Sequence, residues 1–136
     1  MKPIIKTIEE LYDRKDGTGE VLLDEMAECL RKTRIIAVAD LAALMDVDAH
    51  QLNQAVRLLT GMTTRDVINR WRLLQAQDLL QGKAKEAAFD NVGGTKGASK
   101  EERIRVLNAV ARRCGWHSYR VLLKVAHRYG VKLEIL

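Results

Sequence analysis

Two cysteines, one proline and an aromatic share of 4% leave this chain of 136 residues poor in several devices that small proteins rely on. Cys29 and Cys114 cannot build a disulfide framework, and no basic, apolar and then small-residue leader follows Met1, so a reducing cytoplasm is the expected compartment. The single proline, Pro3, leaves every later helix free of a proline break. No apolar run is longer than that at residues 35–39, far below the roughly 20 residues that cross a bilayer, so a membrane is not expected as a partner.

Reactive groups are equally sparse. Ser99 and Ser118 are the only serines, His50, His117 and His127 the only histidines, and no His-Glu-x-x-His, paired-cysteine or nucleophile motif occurs. Cys114 and His117 offer two metal ligands where a site needs three or four. The stretch Gly93-Gly94-Thr95-Lys96-Gly97 lacks the Gly-x-x-x-x-Gly-Lys-Ser/Thr order of a phosphate loop, and no strand precedes it. An enzyme is not expected, nor a catalytic residue, a metal or a cofactor.

What the chain does have is helix-forming material. It is 47% apolar and 30% charged, and Leu, Ala, Arg, Gln, Lys and Glu dominate its periodic stretches, which predicts an all-α fold. The net charge of +5 is unevenly spread. Residues 1–34 hold seven Lys/Arg against eight Asp/Glu, residues 35–82 four against five, and residues 83–136 twelve against five. The C-terminal part is therefore the basic one, which suits either a polyanionic partner or a solvated surface that aids solubility.

Along the chain, residues 1–34 read as an N-terminal helical extension, with Ile4, Ile5, Ile8 and Leu11 at helical spacing, a break at Asp16-Gly17-Thr18-Gly19, and a second stripe of Leu22, Leu23, Met26, Ala27 and Leu30. Residues 35–136 then carry one pattern twice. In the first copy, about 38–61, a helix with Leu41, Ala42 and Met45 inward meets a turn at Asp46-Val47-Asp48, and a second helix carries Leu52, Ala55, Val56 and Leu59 to a stop at Gly61. Asp48, with Gln51 three residues on, has the spacing of a capping box. In the second copy, about 104–130, Ile104, Val106, Leu107, Val110 and Ala111 lead to a turn at Gly115-Trp116-His117-Ser118, and Leu122, Val125, Ala126 and Tyr129 lead to a stop at Gly130. Each copy reads as a helix-turn-helix. Between them, Thr63 caps a linker helix over about 64–80 that buries Val67, Ile68, Trp71, Leu74 and Leu79, and residues 81–100 read as a glycine- and lysine-rich insertion with a weak helical turn near 84–89. The tail at 131–136 is expected to cover the core.

The stretch from Leu41 to Leu80 resembles the DNA-binding domain of AraC/XylS-type transcription regulators. Leu58-Leu59-Thr60-Gly61-Met62-Thr63 followed by Arg72-Leu73-x-x-Ala76-x-x-Leu79-Leu80 carries the resemblance, and Val110-Ala111-x-x-x-Gly115-Trp116 continuing to Tyr129-Gly130 is similar to the family's second unit. Val56 and Ala126 stand where that family usually has Phe. The resemblance implies two helix-turn-helix subdomains joined by a central linker helix, each placing one helix in adjacent major-groove segments about 34 Å apart on one face of the duplex.

By position in that motif, His50, Asn53 and Gln54 face bases from the first recognition helix, with Arg57 near the backbone. Tyr119, Arg120, Leu123 and Lys124 hold the corresponding places in the second, and Arg112, Arg113 and Arg128 join them as phosphate or groove contacts. Asn and Gln can pair with an adenine edge, Arg with guanine, and Leu123 can touch only apolar groups such as a thymine methyl. The expected function is sequence-specific binding of double-stranded DNA in transcription regulation, with RNA polymerase as a further candidate partner. The alternative is a helical protein-interaction adaptor that keeps the fold without reading DNA.

Overall fold

The computed structural model describes residues 8–13, 17–82 and 100–133, and among these the protein is all-helical with no strand. The described residues form seven helices: α1 (Ile8–Asp13), α2 (Val21–Lys32), α3 (Val38–Leu44), α4 (Ala49–Thr60), α5 (Thr64–Gln81), α6 (Lys100–Arg113) and α7 (Tyr119–Arg128). None of them is long and apolar enough to cross a membrane. The turn expected near 84–89 and the last three residues of the tail lie outside the described residues.

The chain divides into two compact units, Met1–Trp71 and Arg72–Leu136, with the division inside α5. Residues 1–34 fall within the first of these units. In the first unit α1 packs on α2, α2 on α3 and α3 on α4, and the buried Leu11, Leu23, Met26 and Leu30 belong to the same core as Leu41, Leu52 and Val56. The entry to α2 is latched locally. Asp24 accepts from the backbone N–H of Thr18 at 2.7 Å, from the Thr18 hydroxyl at 2.8 Å and from the Gly19 N–H at 3.2 Å. These bonds favour the charged carboxylate and hold its pKa below the ordinary value.

Trp71 closes the first unit. It is buried, the Tyr12 ring meets it edge-on with centroids 4.9 Å apart, and the Arg31 guanidinium lies 5.3 Å from its centroid. Arg31 also donates to the Leu11 carbonyl at 3.4 Å, so one side chain ties α2 to both α1 and α5.

The second unit contains α6 packed on α7. Its core includes Leu73, Val106, Val110, Cys114, Trp116 and Leu122, together with Arg72, whose side chain is fully buried and donates to Gln75 Oε1 at 3.0 Å. Cys114 is an inert core residue, because burial pushes its thiol up to about 12 against the opposing charges of Arg72 and Arg113. On α5 the inward residue is Leu73, with Leu74 only half-buried. The single stripe read from the sequence fails here because this helix is enclosed on several sides, residues 67, 68, 69, 71, 72 and 73 all being buried.

Candidate nucleic-acid interface

Two helix pairs, α3–α4 and α6–α7, carry all the candidate residues, and the turns inside the two pairs are built alike. At the end of α3, Met45 N–H donates to Leu41 O (3.0 Å), Asp46 N–H to Ala43 O (3.1 Å) and Val47 N–H to Ala42 O (3.0 Å). At the end of α6, Cys114 N–H donates to Val110 O (3.1 Å), Gly115 N–H to Arg112 O (3.1 Å) and Trp116 N–H to Ala111 O (2.9 Å), the same three bonds at the same spacing. Both turns put one residue in the left-handed region, Asp46 at φ 56° and Gly115 at φ 97°. Gly accepts that conformation freely, and Asp is among the few other residues that tolerate it. The carbonyl that receives the longest-range bond belongs in each case to a buried alanine, whose small side chain lets the next helix approach closely.

Each turn delivers a capped second helix. Asp48 Oδ2 accepts from Gln51 N–H at 3.1 Å, the capping bond expected from their spacing, and Gly61 ends α4 at φ 76° with its N–H on Arg57 O. In the second pair, Ser118 is the N-cap residue but makes no side-chain cap bond. Asn108 of α6 supplies it, its Oδ1 accepting from Tyr119 N–H at 2.9 Å. Asn53 does the same for α5, its Oδ1 accepting from Thr64 N–H at 3.0 Å. Both bonds bridge eleven residues.

Asn53, expected to face a base, thus spends its carbonyl oxygen holding the start of α5. Replacing Asn53 or Asn108 with Ala is expected to destabilise the protein by about 1 kcal/mol, read from the thermal midpoint, because a helix N-terminus loses its acceptor. Asn53→Asp keeps the acceptor and places negative charge at a helix N-terminus, so it should retain the stability that Asn53→Ala loses.

The other candidates fall into place by their distance from the caps. His50, Gln54 and Arg57 are exposed along α4. Arg112 and Arg113 are exposed in the last turn of α6, and Arg120, Lys124 and Arg128 along α7. Tyr119 is half-buried, and Arg120 folds over it with its guanidinium carbon 5.9 Å from the ring centroid. Hydrogen bonding to Tyr119 raises the guanidinium pKa further above its already high ordinary value. Counted from Asp48 and Ser118, Arg120 matches His50, Lys124 matches Gln54, and Leu123 matches Asn53.

Leu123, unlike its half-buried counterpart, is exposed, at 41%. It lines an open cavity of about 400 Å³ with Ala126, His127, Gly130, Val131, Lys132 and Leu133, so its side chain borders the segment that follows α7. Two residues that sequence reasoning passed over, Gln51 and Val121, stand at the matching third position after each cap and are exposed. Counting helical turns from the cap, instead of relying on the family motif, would have found them.

The pairs differ sharply in charge. Lys/Arg at positions 100, 103, 105, 112, 113, 120, 124 and 128 of α6–α7 face only Glu101 and Glu102, whereas α3–α4 carries Asp40, Asp46 and Asp48 against Arg57. The first pair also exposes Leu44, Val47 and Leu58, the last at 61%. Among the described residues no group of three His, Cys, Asp or Glu is placed to hold a metal ion.

No family model, curated protein or solved structure matches the chain.

Proposed function

We propose that the protein binds double-stranded DNA with sequence preference and acts as a transcription regulator. The observation that carries this reading is the repeated turn, which twice presents a capped helix with an exposed polar face, the second time inside a strongly basic surface. A helix so presented can enter a major groove with its N-terminal residues toward the base edges. In this reading α7 and the end of α6 supply most of the affinity, through phosphate contacts of Arg112, Arg113, Lys124 and Arg128, with Arg120 and its Tyr119 partner set at the groove edge. On α4, His50, Gln51 and Gln54 supply choice, since the aspartates around them add no attraction for phosphate. The resemblance to AraC/XylS-type regulators supports the same assignment.

A protein-interaction adaptor is the second reading, favoured by the acidic surroundings and the exposed Leu44, Val47 and Leu58 of α3–α4. Fluorescence anisotropy with labelled duplexes at two salt concentrations separates the two. For a DNA reader, Gln54→Ala changes preference at one base position and leaves the salt slope alone, whereas Arg112→Ala weakens binding to every sequence and lowers the slope by about 1. An adaptor shows no site preference for Gln54→Ala to alter.

A further inference from the structure

We propose that Val121 reads the C5 methyl group of a thymine in the major groove, an inference that rests on the DNA-binding reading above. Val121 stands at the third position after the Ser118 cap of α7, in the part of a reading helix that lies nearest the base edges. Its side chain is 37% exposed and is flanked by cations, with Arg120 beside it, Lys124 one helical turn on and Arg128 two turns on. The apolar residues that build the core of this unit from α7, namely Leu122, Val125 and Ala126, are buried, so the core does not account for Val121.

Its chemistry suits one feature of duplex DNA. A valine offers no hydrogen bond, and the thymine methyl is the apolar group that the major groove displays. A β-branched side chain in a helix holds essentially one χ1 rotamer, so presenting its two methyl groups to a base costs little conformational freedom. The matching position of α4 holds Gln51, which can hydrogen-bond instead, so the two helices read different chemistry from equivalent places. Leu123, the apolar residue the sequence pointed to, is exposed as well, but it stands two residues further from the cap and lines the open cavity beside the segment after α7, so the place nearest the helix N-terminus assigns the methyl contact to Val121.

The test starts from a duplex that the wild-type protein prefers, chosen from a random pool, in which each thymine is replaced in turn by deoxyuridine. The exchange removes only the methyl group and keeps the base pair. At one thymine the wild-type affinity should fall about fourfold, the effect of one buried methyl, and Val121→Ala, still helical by circular dichroism, should bind the two duplexes equally. Equal wild-type affinity for thymine and deoxyuridine at every position overturns the inference while the DNA-binding reading stands. So does a methyl effect that survives in Val121→Ala, or one that disappears only in Leu123→Ala. Failure of any duplex to enrich overturns both readings together.

Discussion

Replacing Arg112, Arg113, Lys124 and Arg128 together with Gln is expected to lower affinity for every duplex by about three orders of magnitude near 0.1 M salt, and to flatten the salt dependence by about four. Each cation that neutralises a phosphate releases condensed counterions, and each contributes about 0.9 to the slope of log affinity against log salt. All four side chains are exposed, so the fold should survive their loss, as circular dichroism would show. The partner surface must be a polyanion for the slope to change in this way. Arg72 provides the contrast. Fully buried and bonded to Gln75, it belongs to the core of the second unit, so Arg72→Gln is expected to appear in stability and not as a lost phosphate contact.

The largest expected loss of stability comes from Trp71→Ala, about 3–5 kcal/mol, a large part of the 5–15 kcal/mol that holds a typical domain together. The change opens a cavity in the first unit and removes the surface against which both the Tyr12 ring and the Arg31 guanidinium rest. Because α1 is only six residues long, it depends on such packing for its helicity. Urea denaturation followed by circular dichroism measures the loss, and in this variant Trp116 is the remaining tryptophan, so its fluorescence reports on the second unit. A shift of less than 1 kcal/mol would show that Trp71 is not the anchor of its unit.

These two residues, Trp71 and Arg72, are adjacent in the chain and show how far a sequence can be read. The burial of Trp71, the caps at Asp48 and Thr63 and the stop at Gly61 were all legible, because periodicity, capping and the left-handed glycine are local signals. Thr63 does cap α5, its Oγ1 accepting from Asp66 N–H at 3.1 Å. The all-helical fold follows from the same signals. Burial of Arg72 was not legible, since an arginine reads as surface unless its surroundings are known. Nor were the roles of Asn53 and Asn108, because nothing local tells an asparagine facing solvent from one reaching a helix start eleven residues away. Charge is also a local signal, and Arg112, Arg113, Lys124 and Arg128, taken as contacts from charge and position, are all exposed. Facing was less legible: Asn53 is half-buried and bonded to the start of α5, whereas Gln51, Val121 and Leu123 are all exposed. Val56 and Ala126, small where the resembling family has Phe, are both buried, each within its own unit.

Selection of binding sites by the whole protein from a pool of random duplexes tests the central claim most directly. The account predicts an enriched sequence, altered at one position by Gln54→Ala and weakened as a whole, with its pattern kept, by Arg112→Ala. A pool that stays random after repeated selection with folded protein would contradict it.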